Sequence, residues 1–235
     1  MNITDTKFWH ALRRNNAFNY FYDRTLGRLV KSFLLRDRKK AIKESGLTNI
    51  FQIEACLDST CIDFFADMGT LLGFVRDGKP IGWDFDIDFG VIIKENNEWD
   101  ILESNLKKIG FHKDHQFRLM GDITEQTYEK NNVYVDFFNH YSDGKESYCY
   151  CYYSKKGYEY SKSNQLHVRK IVSPLLNGTK RILVNDGEIR VPIESELYLE
   201  SLYGKNWMVP DPNWVDGSGP GVVEINNSFG ILEKF

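Results

Sequence analysis

The stretch "DFDIDFGVII", residues 84–93, alternates carboxylate and apolar side chains with a period of two. That is the period of a β-strand, so the sequence predicts one with Phe85, Ile87 and Phe89 on a packed face and Asp84, Asp86 and Asp88 on the other. Such a strand requires a sheet, a core beneath its apolar face, and a partner for carboxylates spaced by roughly 7 Å. Oxygen-only ligands suit a hard cation, Mg²⁺ or Mn²⁺, which keeps waters and bridges to phosphates. Two other readings compete. Asp84, Asp86, Asp88 and Glu95 fall at positions 1, 3, 5 and 12 of a calcium-binding loop, but Phe89 stands where that loop needs glycine, and Pro80 and Gly82 stand where its incoming helix belongs. An acidic edge strand that discourages aggregation is the second, and the large apolar residue at every intervening position argues against it.

A second alternating stretch, "NNVYVDFFNHY", places Asp136 among apolar and aromatic residues. A carboxylate there is costly to bury unless it binds something, and on a neighbouring strand it would complete a two-metal cluster. Upstream, Gly69 and Thr70 open a short helix whose N–H groups and hydroxyl suit a phosphate, and Arg76 can grip phosphate oxygens as a fork. Trp83 is open to two roles, stacking on a base or sugar or anchoring the core.

The 235 residues suffice for one large domain. The pattern along the chain is mixed α/β: helices at 48–60, 70–78, 96–110 and 194–204, strands at 61–67, 84–93, 115–123, 132–139 and 146–153, and a hairpin at 180–192. Three segments follow: a basic amphipathic helical one at 1–45, a catalytic domain at 46–212, and an irregular tail at 213–235. The net charge of -3 is uneven, because residues 1–43 carry +8 and the remainder -11. A basic helix with an aromatic-rich face can dock on the domain, or lie peripherally on an anionic membrane or polyanionic substrate. No apolar run approaches the roughly 18 residues of a membrane span, and no signal segment opens the sequence, so the expected location is cytoplasmic, with membrane contact at the inner face. Cys56, Cys61, Cys149 and Cys151 lack zinc-knuckle spacing and read as reduced, packed thiols.

The segment "GTLLGFVRDGKPIGWDFDIDFGV" resembles the hallmark of the LicD and fukutin-related phosphotransferases: Gly-Thr-Leu-Leu-Gly, then Arg, then Trp-Asp-x-Asp-hydrophobic-Asp. "VYVDFF" and "VPIESELYLESLYGKNWMVPDP" resemble later motifs of that family, so that the likeness covers residues 50–212. It implies an α+β nucleotidyltransferase fold of the DNA polymerase β type, with a mixed sheet bearing the cluster and helices flanking it. It also implies that Asp86, Asp88 and Asp136 are metal-binding and catalytic, while Gly69, Thr70, Arg76, Trp83 and Asp84 bind substrate. The implied reaction moves phosphocholine or a phospho-alditol from a CDP-activated donor to a hydroxyl of a glycan or lipid-linked glycan, and no nucleic-acid partner is expected. Phe85 and Asp77 depart from the family pattern, where another Asp and a His are frequent. Rival readings are attachment of a nucleotide by the same cluster, a nucleotide-sugar-dependent glycosyltransferase, and a module without turnover.

Overall fold

The computed structural model describes residues 35–211 and 213–235. Most of the basic segment 1–45 therefore lies outside the described residues. Its described end is helical from 35 to 41 and runs through a π-helical turn, Ile42–Gly46, into helix α1, Leu47–Leu57. This end docks on the domain: Ile42 is buried in the core, and the Arg38 guanidinium lies 3.4 Å over the Tyr134 ring.

Three further α-helices follow among the described residues, α2 at Met68–Leu72, continued by a π-helical turn at Gly73–Asp77, α3 at Asn97–Lys108 and α4 at Ser195–Tyr203. Eleven strands accompany them among the described residues. β1 is Asp63–Ala66, β2 Ile87–Ile92, β3 His112–Leu119, β4 Asp122–Lys130 and β5 Val133–Asn139. β6 is Tyr141–Ser142, β7 Glu146–Tyr153, β8 Gln165–Pro174, β9 Thr179–Val184, β10 Gly187–Pro192 and β11 Val222–Lys234. Nine of them form one sheet in the order β1-β2-β5-β4-β3-β11-β8-β7-β6, and β9 with β10 makes a separate hairpin. Every pair in the large sheet is antiparallel except β2 with β5. The fold is thus α+β, with few helices and a mostly antiparallel sheet that curls until β7 approaches β4 and β5.

The core lies under one face of the β1-β2-β5-β4 half. Phe89 and Val91 of β2, Val135 and Phe137 of β5 and Tyr128 of β4 pack there against Ile50 and Ile53 of α1, Trp99 and Leu102 of α3, and Ile189 of the hairpin. These are the apolar positions of the two alternating stretches, so burial fixes both registers. At the start of α3, Asn96 makes no side-chain cap, and Glu98 reaches back to accept from the backbone N–H of Lys94 at 2.5 Å and of Glu95 at 3.2 Å. The expected 180–192 hairpin turns at Asn185 and Asp186, with Asn185 in the left-handed region at φ 51°.

Three expectations are corrected. The strand read at 84–93 starts only at Ile87, and Asp84 and Asp86 belong to the bend before it. One strand was read at 115–123; two cover that region, β3 and β4, and β4 joins β5 through Asn131 and Asn132, both at positive φ as a two-residue hairpin loop requires. The tail expected to be irregular holds β11, which pairs with β3 on one side and β8 on the other. It still carries Val, Ile, Phe and Leu along its length, and the Asn226–Ser228 interruption coincides with a register shift between Ile225 and Phe229.

Candidate active site

The curl of the sheet leaves its second face lining a cavity of about 1060 Å³, closed by α4 and the segment after it. Parallel pairing of β2 with β5 brings Asp88 opposite Asp136, and both line this cavity. The pairing continues into β4, where Thr127 stands opposite Asp136. Asp84 and Asp86 reach the same cavity from the bend rather than from a strand face.

Asp88 is held from both sides. Its backbone N–H donates to Thr70 Oγ1 at 2.9 Å, and its Oδ2 accepts from the Gly69 N–H at 3.2 Å. Gly69 lets these carboxylates come close: a Cβ would stand 2.8 Å from Asp84 Oδ2 and 3.5 Å from Asp88 Oδ2, so Asp84 would have to shift. Gly69 therefore lines the cavity while Thr70 is buried behind it, fixing β2 to α2. Thr70 does not line the cavity, and its hydroxyl oxygen accepts from the Asp88 N–H instead. α2 itself is capped by Asp67, which accepts from the Met68 N–H at 2.7 Å and lies fully buried against His140 Nε2 at 2.7 Å and the Tyr198 hydroxyl at 2.5 Å. The next residue, Met68, is held at φ 40°, a conformation that L side chains rarely adopt.

Asp136 has its own support. The Thr127 hydroxyl donates to Asp136 Oδ1 at 2.5 Å, Thr127 Oγ1 lies 3.1 Å from His115 Nε2, and His115 Nδ1 lies 2.7 Å from Asp114 Oδ2. Because the one hydrogen of Thr127 goes to Asp136, its oxygen accepts from His115 Nε2. Nothing in the sequence singled out this chain of bonds, since His115 and Thr127 meet only when β3 and β4 pair.

The carboxylates crowd one another. Burial, with the charges of Asp136 and Asp84, pushes Asp86 up to about 9. Burial and the charges of Asp86, Asp84 and Asp136 hold Asp88 well above the usual carboxylate range. Asp84 and Asp136 are also raised, chiefly by burial; Lys39 opposes the rise at Asp84, and the Thr127 hydrogen bond, His115 and Arg38 oppose it at Asp136. Arg38 and Lys39, from the described end of the basic segment, therefore place positive charge beside the acidic cavity.

Arg76 lines the cavity too, its Nε and Nη2 bound to Asp77 at 3.0 and 2.8 Å. Asp77 thus engages the fork that was expected to grip phosphate. Trp83 stands 60% exposed at the cavity mouth, so it does not anchor the core. Glu125, unremarked in the sequence, is 6% exposed on the cavity wall, and burial holds its carboxyl well above the ordinary range. The Asn-Asn loop was the available signal, because it makes "DITEQTYEK" the hairpin partner of "VYVDFFN" and puts Glu125 and Asp136 on one face. All four cysteines are free; Cys61 is exposed and Cys149 buried.

The curled α+β sheet thus brings Asp88 and Asp136 from two parallel strands, and Asp84 and Asp86 from the bend before them, to the wall of one cavity. Residues 61–173 match the family model described as "LicD/FKTN/FKRP, nucleotidyltransferase domain". The mouse protein named ribitol-5-phosphate transferase FKTN is 27% identical over 173 residues, covering 73% of this chain and 35% of that protein. The human protein of the same name is 26% identical over 178 residues, 75% of this chain and 36% of that one. The chain is thus similar to the LicD/FKTN family over residues 61–173 and spans about a third of the length of these relatives.

Proposed function

We propose that the protein is a metal-dependent phosphotransferase that moves a phospho-alditol or phosphocholine group from a CDP-activated donor to a hydroxyl of a cell-surface glycan. The observation that carries this reading is the Asp88–Asp136 pairing across β2 and β5, facing the cavity beside Asp86. The match of residues 61–173 to the LicD/FKTN/FKRP model and relatives named for ribitol-5-phosphate transfer support the same chemistry. The donor set fits a hard divalent cation: its ligands are carboxylate oxygens, raised by burial and mutual repulsion that positive charge would relieve. Among the described residues no three His, Cys, Asp or Glu already converge at metal-ligand spacing, so binding would have to draw the carboxylates together.

Asp86, Asp88 and Asp136 would hold Mg²⁺ or Mn²⁺, which when bound neutralises phosphate charge and makes the acceptor hydroxyl more acidic. Thr127 orients Asp136, and Gly69 and Thr70 orient Asp88. Arg76 would exchange Asp77 for phosphate oxygens, and Trp83 stacks on the donor's base or on a sugar at the mouth. Asp84, packed over Gly69, keeps the bend closed on α2. The basic segment 1–45 favours peripheral contact with the inner face of a membrane, where a lipid-linked glycan acceptor would be presented.

The test is release of CMP from CDP-choline, CDP-ribitol and CDP-glycerol with Mg²⁺ and a glycan acceptor. Asp88→Asn is expected to lower turnover by at least about a thousandfold while keeping the far-UV spectrum. Metal-dependent turnover retained in that variant would refute the assignment, and pyrophosphate from CTP without CMP from any donor would favour nucleotide attachment.

A further inference from the structure

One row of side chains on the cavity face has no part in the cluster described above. Two residues along from Asp136 on β5 comes Phe138, whose register partner on β4 is Glu125, whose partner on β3 is Phe117. Glu125 is therefore flanked on both sides by a phenyl ring, and Tyr152 of β7 stacks on Phe117 at 4.3 Å between ring centroids. All four line the cavity. Glu125 is more than nine-tenths buried, and among the described residues it makes neither a hydrogen bond nor an ion pair. The groups that act on it electrostatically, Asp136 and Cys149, add no positive charge. The neighbouring hydroxyl is already engaged, since Tyr152 OH bonds to Thr124 Oγ1.

A carboxylate without a partner at the edge of a cavity is costly unless a ligand neutralises it. A polyol would need several donors and acceptors along its length, and this row offers one carboxylate among rings. A compact ammonium suits what is present, aromatic faces around a carboxyl whose ionised form a bound cation would favour. The row lies two residues beyond Asp136, roughly 7 Å along the strand, which suits a short link between a phosphate at the cluster and a charge at Glu125.

We propose that Glu125, framed by Phe117, Phe138 and Tyr152, is the headgroup subsite of this cavity and takes an ammonium group, quaternary or primary, carried on the transferred phosphate. This deepens the phosphotransferase reading and rests on it, and it selects the cationic donors over the neutral alditol ones.

Two measurements test it separately. Wild-type protein is titrated calorimetrically with phosphocholine and with its uncharged isostere 3,3-dimethylbutyl phosphate, both with Mg²⁺ present. Phosphocholine is expected to bind at least about tenfold more tightly, and Glu125→Gln to erase that preference. Equal affinities for the two in wild type overturn the subsite whether or not the variant folds. CMP release is then compared across CDP-choline, CDP-ribitol and CDP-glycerol. Faster turnover of CDP-choline, with KM raised in Glu125→Gln for that donor alone, supports the subsite. Faster turnover of CDP-ribitol overturns it while leaving the phosphotransferase standing, whereas CMP from no donor defeats the phosphotransferase and leaves the titration to decide the subsite.

Discussion

The geometry of the candidate site depends on single atoms that hold its carboxylates. Asp136 is oriented by one hydroxyl, and Thr127 has both its hydrogen and its oxygen committed, to Asp136 Oδ1 and His115 Nε2. Thr127→Val keeps the shape and removes the bond, so turnover is expected to fall about tenfold to a hundredfold with donor KM little changed. Thr127→Ser is expected to restore most of it. If serine fails to rescue, or if valine raises KM and spares kcat, Thr127 acts through packing and not through its hydroxyl. At this scale the sequence was legible where a residue's type dictates its place. Gly69 leaves room for Asp84 Oδ2, and the Asp88 and Asp136 alternations fixed their faces. It was not legible for Thr127, His115 or Glu125, since each is ordinary in type and gains its role only from a cross-strand neighbour.

Among the elements, β11 shows how far a weak local pattern can mislead. Its segment is rich in Asn, Ser and Gly, which reads as coil, yet it fills the place between β3 and β8 because both would otherwise leave their backbone groups unpaired. Removing residues 222–235 is expected to leave two open edges and a protein that aggregates or loses cooperative unfolding, as read by light scattering and thermal circular dichroism. A truncated chain that stays monomeric and melts cooperatively would show that β3 and β8 can close on each other. The reverse case is β2. Its periodicity was read back to residue 84, whereas pairing with β1 and β5 begins no earlier than Ile87. The turn from Ile81 to Asp84, closed by the Asp84 N–H on the Ile81 carbonyl at 3.1 Å, takes the chain out of the sheet before Asp86. Alternation requires only that side chains diverge, and a bend can satisfy it as well as a strand.

Across the whole molecule the charge is divided, and the division has a consequence for stability. Asp86 titrates near 9 in the folded protein and near 4 in an unfolded chain, so above about pH 4 folding takes up a proton. This group's contribution to stability is therefore greatest in acid and is lost as pH rises toward 9; Asp88, raised for the same reasons, acts in the same direction. Mg²⁺ is expected to raise Tm, and to raise it more at pH 8 than at pH 5, with the difference reduced in Asp88→Asn. A Mg²⁺ shift independent of pH would mean that the cation binds away from these carboxylates. By itself the sequence determined the apolar faces of β2 and β5, the helices α1, α3 and α4, the 180–192 hairpin and the family motif, because periodicity, turn chemistry and residue type are local properties. Only the tertiary structure decided that Asp84 and Asp86 reach the cavity from a bend, that Thr70 faces away from it, that Asp77 engages Arg76, and that Glu125 stands between two rings. Each of these depends on which strands become neighbours in a curled sheet, and strand neighbours are chosen by burial over the whole chain, not by the residues beside them in sequence.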